Sequence, residues 1–279
     1  MKKKALFFGI AFLIICTPFA WSHFQTTREV QEILEQKAHI QGIPVTQLTS
    51  VQEEMDIVSI VKNPSEDTID AFLNQLPNEV PREKVLNVPF LCQNPFQNEA
   101  GWKYHDESCE EAAALQVVLS WEKQEITPQE AHEIILDMIA WEKRPEHFGE
   151  HKDLYNEDMR TFVRDYFGYN DQDILWLSEV DSDRIKQIIA AGYPLIMAVS
   201  GEKIGNPFYP YPGYHMLVVR GYTDNQVITN DNGTKRGEKY PYDWNVFLTA
   251  NQAVGGGALV IRRTEIPLDF LQKNFYKED

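Results

Sequence analysis

Between residues 112 and 121 the chain is apolar at almost every position, a pattern that predicts a helix buried on all sides and not an amphipathic surface helix. Thr127 followed by Pro128 reads as an N-cap with proline in the first helical position, opening a second helix that runs to about Trp141. Helical periodicity returns over 159–166 and 182–191, and Gly192 stops the latter. Short apolar runs bounded by turn residues predict strands over 194–199, 214–222, 226–231 and 258–262. The charged stretch 142–158, rich in His and Glu, reads as a surface excursion. A helical half followed by a strand-rich half predicts an α+β fold with its site at the seam between them.

The pattern changes sharply before residue 84. Lys2, Lys3 and Lys4 precede an uninterrupted apolar stretch over 5–16, followed by Pro18 and by small residues, Ala20 and Ser22, at the spacing a signal peptidase reads. Residues 1–23 are therefore a signal peptide or a retained N-terminal membrane anchor, and either places the folded part outside the cytoplasm. Residues 24–83 are polar and helix-like, with narrow apolar stripes at Val30, Ile33 and Leu34 and at Ile57, Ile60 and Val61, and read as a stalk or accessory segment. Pro64 and Pro81 interrupt that pattern. The main domain is placed at 84–265, with a C-terminal tail over 266–279.

Composition narrows the function classes. With 279 residues, 43% of them apolar and 12% aromatic, the chain can bury one sizeable core plus extensions. A formal net charge of −16, more negative still without the three leading lysines, argues against nucleic acid as a partner. The three cysteines form no Cys-x-x-Cys pair, so neither a disulfide framework nor a cysteine zinc cluster is indicated, and Cys16 lies in the leading apolar stretch.

The chemistry centres on Cys109, where the polar run from His105 to Ser108 gives way to the buried helix. A helix start presents unpaired N–H groups and the positive end of the macrodipole, both of which favour a thiolate. Asp106 or Ser108 could cap it. His215 opens the strand 214–222, on the face shared with Leu217 and Val219, and is the best-placed base, since the other histidines lie in helical or highly charged stretches. Thr223-Asp224-Asn225 is a turn signal, so the strand 226–231 returns alongside. A three-residue loop puts Leu217 opposite Asp231 and sets Asp231 diagonal to His215, whereas a loop of two or four residues puts Asn230 there instead. Gln93 precedes the cysteine and can donate a side-chain N–H to an oxyanion, with the Cys109 backbone N–H as second donor.

Val88-Pro89-Phe90 with Gln93, the Trp102 region, Cys109-Glu110-Glu111-Ala112-Ala113, Gly192-Tyr193-Pro194, His215 with Val218-Val219-Arg220-Gly221-Tyr222, and Asn230-Asp231 together resemble papain-fold cysteine peptidases of the bacteriocin-processing, double-glycine leader type. The resemblance covers roughly residues 84–262. It implies a helical lobe carrying the cysteine packed on an antiparallel sheet carrying the histidine and aspartate. Cys109 would be nucleophile, His215 base, Asp231 its orienter and Gln93 the oxyanion donor, acting on a peptide or protein substrate with no cofactor or metal required. Two departures stand out. The chain lacks the transporter and ATPase that accompany leader-trimming members, and Asn232-Gly233 follows the aspartate where the family pattern often has proline. An amidase or acyltransferase on the same fold, or a membrane-tethered binding module without catalysis, are the other classes the residues allow.

Overall fold

Helix formation in the middle of this chain is driven by burial on every side. A computed structural model describes residues 66–96, 105–208 and 213–262, all within the unit Val61–Asp279. The leader over 1–23, most of the stalk, Trp102 and the tail over 266–279 lie outside the described residues. Among the described residues no helix is long and apolar enough to cross a membrane.

In chain order the elements are α1 (Glu66–Leu73), β1 (Lys84–Val85), α2 (Cys109–Glu122), α3 (Pro128–Glu142), α4 (Asn156–Phe167), a 3-10 turn (Asp171–Asp173), β2 (Ile174–Leu177), α5 (Ser182–Ala190), β3 (Leu195–Ser200), α6 (Gly201–Ile204), β4 (Tyr214–Tyr222), β5 (Gln226–Asn230), β6 (Tyr240–Asp243), α7 (Trp244–Gln252) and β7 (Ala258–Ile261). The strands form one antiparallel sheet in the order β2-β7-β3-β4-β5-β6, with β1 pairing the far end of β4. This is the mixed helix and antiparallel sheet expected from the sequence.

Helix α2 is buried continuously from Cys109 to Leu119. With α3 and α4 it covers one face of the sheet, where Cys109, Ala113 and Val117 join a core with Ile196, Ala198, Met216 and Val218. Helices α1, α5 and α7 cover the other face, where Ile188 and Phe247 pack with Leu195, Met197, Leu217 and Val219. Alternation along β4 thus sends even positions toward α2 and odd positions away from it. Thr127 caps α3 through a reciprocal pair of bonds with Glu130, and Gly192 ends the α5 segment at φ +100°, a conformation that only glycine adopts without strain.

Several elements went unpredicted. β2 and β6 are four-residue edge strands, and β6 contains Pro241, tolerated because an edge strand needs only one partner. α7 is capped by Asp243, whose carboxylate accepts from the backbone N–H groups of Asn245 and Val246. The domain start set at residue 84 is too late for the observed packing: Phe72 and Leu76 sit in the second core, and Phe72 meets Tyr193 edge-to-face at 5.3 Å. The stretch 142–158 is more than a surface excursion, since Glu142 and Leu154 are fully buried.

Truncating Phe72 to alanine removes a large ring from this core, and Phe72→Ala is expected to cost about 3–5 kcal/mol of stability in urea unfolding. A change under about 1 kcal/mol would show that α1 is an appendage.

Candidate active site

Cys109 is the first residue of α2. Ser108 holds the N-cap position, but its side chain makes no capping bond, and the Asp106 carboxylate accepts from Asn94 Nδ2 at 3.1 Å. The thiol is 4% exposed, donates to Glu110 Oε2 at 3.0 Å and accepts from the Met216 backbone N–H at 3.3 Å. Burial pushes this thiol well above its ordinary value, and the charge and hydrogen bond of Glu110 push it further, while the Met216 N–H works the other way. The expectation of a lowered thiol pKa at the helix start is not met in this arrangement: burial first, and the neighbouring Glu110 second, act in the opposite direction. Glu110 is itself buried, accepts from the Leu154 N–H at 3.1 Å, and is held above the usual carboxylate range by burial and by Glu111.

His215 is the second residue of β4, one residue before the Met216 N–H that touches the thiol. Its Nε2 lies 3.0 Å from Asp231 Oδ1. By the alternation of β4, the thiol and the imidazole approach the strand at adjacent residues from its two faces. Asp231 has no exposed surface, and its carboxylate accepts from His215, from the Gly233 N–H at 3.2 Å, from Asn206 Nδ2 at 3.0 Å and from the Tyr242 hydroxyl. Four donors satisfy an ionised carboxylate that has no access to water.

The register that joins His215 to Asp231 is reached by an unexpected route. Tyr222 pairs with Val227 and Gly221 with Ile228, so the connection is one residue longer than the three-residue loop expected. The ladder then shifts by one between Val219 and Gly221, and Val219 pairs with Thr229 and Val218 with Asn230. A bulge at Arg220 cancels the extra loop residue and restores the alignment near the site. Arg220 turns its guanidinium onto the Leu86 carbonyl and Asn230 Oδ1. Asn230, the other candidate partner of His215, instead donates to the carbonyls of Val88 and Pro89 at 3.3 and 3.1 Å.

Gln93 lies beside the helix start, but its Nε2 donates to the carbonyls of His105 at 3.1 Å and Asp106 at 3.0 Å, so the hydrogens assigned to an oxyanion are engaged here. Its backbone N–H donates to the Asn232 carbonyl at 2.8 Å, and Asn232 Nδ2 donates to the Cys109 carbonyl at 2.8 Å. Asn232 therefore ties the Gln93 loop, the acid loop and the nucleophile helix together, a role absent from the expectations drawn on sequence. The clue is the departure from proline, because a proline there offers no side-chain donor to the Cys109 carbonyl. Gly237 closes the same loop: it accepts from the Asp231 N–H at 2.9 Å, and a Cβ there would fall 1.7 Å from the Asp231 carbonyl oxygen.

A helical layer that presents one thiol to the histidine strand of an antiparallel sheet is the architecture of papain-like cysteine peptidases. The chain belongs to the Peptidase_C39-like family, whose model matches residues 85–259, and it is a cysteine peptidase by class. Among curated proteins none matches. Solved structures similar to it include a C39-like peptidase from Bacillus anthracis, at 14% identity and TM-score 0.45, covering 66% of this chain and 100% of that one. Xylellain, a cysteine protease from Xylella fastidiosa, is similar at 14% identity and TM-score 0.42, covering 73% of this chain and 91% of its own. A cysteine protease from Carica candamarcensis is similar at 11% identity and TM-score 0.41, covering 66% and 100%. The family assignment rests on the family match.

Replacing Glu110 by its neutral amide removes the negative charge that opposes thiolate formation while keeping an oxygen of the same shape. Glu110→Gln is expected to move the pH profile of iodoacetamide labelling at Cys109 downward, with labelling at pH 7 faster on the order of tenfold. Labelling located by mass spectrometry and unchanged between the two proteins would remove Glu110 from control of the thiol. Gly237→Ala is expected to displace the Asp231 loop and lower the melting temperature by about 5 °C or more, read by calorimetry.

Proposed function

We propose that this chain is an extracytoplasmic thiol peptidase that cleaves peptide bonds with Cys109 as nucleophile, His215 as base and Asp231 as its orienter. The observation that carries the reading is the buried His215–Asp231 bond at 3.0 Å, one residue along β4 from the N–H that touches the Cys109 thiol. With Nε2 held by Asp231, Nδ1 is the ring atom that takes the thiol proton once the thiol leaves Glu110. The thiolate attacks the substrate carbonyl carbon, and the oxyanion is received by the Cys109 backbone N–H and by a Gln93 amide hydrogen released from a carbonyl as substrate enters. The protonated His215 then gives its proton to the departing amine, leaving a thioester that water hydrolyses. The location outside the cytoplasm is supported by the lysines and apolar run at the N-terminus. An amidase or acyltransferase would use the same steps up to the thioester and differ in the bond attacked or the final acceptor.

A second reading, a binding module without catalysis, is favoured by one observation: the thiol bonds to Glu110 and is pushed above its ordinary value.

Profiling against a peptide library separates the two. Cleavage is expected for the intact chain, with none from Cys109→Ala and a loss of roughly 10³-fold in kcat for Asp231→Asn. Cleavage surviving in Cys109→Ala would overturn the nucleophile assignment, and an inert wild-type protein whose thiol labels only above its ordinary pKa of about 8.5 would favour the binding module.

A further inference from the structure

The chemistry proposed for Cys109 makes no use of Glu111 and Glu142. Glu111 lies in the first turn of α2, Glu142 ends α3, and His151 comes from the segment that joins α3 to α4. One donor atom from each residue lies within 4.8 Å of the other two. His151 Nε2 is 2.9 Å from Glu111 Oε1, in a pair whose side chains are 14% and 1% exposed. Glu142 is fully buried and its carboxylate oxygens make no well-formed hydrogen bond; the polar groups that act on it are the Glu111 carboxylate and the Lys152 backbone. Among the described residues no lysine or arginine pairs with Glu110, Glu111 or Glu142, and the Lys152 ammonium is taken by Asp158 at 2.7 Å.

Buried carboxylates are ordinarily paired, hydrogen-bonded or bound to a metal. We propose that Glu111, Glu142 and His151 form a site for one divalent transition ion of the zinc class, with water completing a four-coordinate shell. An imidazole with two carboxylates suits zinc and its neighbours, whereas calcium and magnesium take oxygen ligands, usually six or more. The ion supplies Glu142 with a charged partner and balances two carboxylates that no lysine or arginine meets among the described residues. Small inward movements bring the donors to the usual distances of about 2.0–2.2 Å. The ligands lie far apart in sequence, so the ion clamps the segment around His151 onto α2 and α3. That segment also seats Leu154 against Glu110 and receives the Tyr214 hydroxyl at 3.0 Å. The site is independent of the catalytic reading.

The test uses the full chain carrying Cys109→Ala, so that the thiol cannot serve as a ligand. Zinc titration followed by calorimetry is expected to show one equivalent bound and a melting temperature raised by about 5 °C or more at saturating ion. Cobalt in its place is expected to give tetrahedral ligand-field bands without a thiolate charge-transfer band. Adding His151→Ala or Glu142→Gln should weaken zinc binding by roughly 100-fold or more. His151→Ala, at the edge of the cluster, serves if Glu142→Gln does not fold. No zinc binding, which would leave Glu111 and Glu142 sharing a proton instead, overturns the proposal. Equal affinity for magnesium, or binding undiminished in His151→Ala, does so as well.

Discussion

The buried carboxylate of Asp231 is the point on which this architecture turns. An ionised group without water must find its donors within the protein, and Asp231 draws them from four places: β4, its own following turn, the segment after α6, and β6. Each donor comes from a different stretch of chain, so the sheet edge, the loop before β4 and the Asx turn at Gly233 must all be in register at once. The close approach of Gly237 to the Asp231 backbone is part of the same requirement.

A second layer of restraint connects this acid loop to the nucleophile. Asn232 reaches the Cys109 carbonyl with its side chain and receives the Gln93 N–H with its backbone, while Asn230 and Arg220 bind the segment 86–89. The two faces of β4 then divide the chemistry. Helix α2 brings the thiol to the Met216 N–H on the even face, and the odd face carries the His–Asp pair. This explains why the sheet must be covered on both sides: an exposed face would wet one half of the site.

The surroundings of the thiol oppose its ionisation. Burial and the acids Glu110 and Glu111 push it upward, and those acids are themselves pushed upward by burial. The Met216 N–H is the opposing contact. The acids at the beginning of α2 also meet the positive end of the helix macrodipole, which favours keeping them there in the folded chain.

Long periodic segments are legible from side-chain pattern alone. The buried helix at Cys109, the Thr127–Pro128 start, the amphipathic helices and the strands β3, β4, β5 and β7 follow from local chemistry, through side-chain period in the longer elements and through an apolar run bounded by turn residues in β7. The equally short edge strands β2 and β6 carry no such marks, and α1 is hidden in a stretch whose polar character masks Phe72 and Leu76. Residue types near the site are equally readable: a cysteine at a helix start, a histidine opening a strand and an aspartate after the next strand. Their neighbours are not. The His215–Asp231 alignment depends on a loop one residue longer than expected and on a bulge that compensates for it, two features that cancel and that only the paired strands reveal. Whether Glu110 helps or hinders the thiol, where the Gln93 hydrogens go, and that Glu111, Glu142 and His151 meet are likewise matters of tertiary placement. Local sequence determines backbone preference and the chemical inventory, but hydrogen bonds and desolvation act between atoms that only folding brings together.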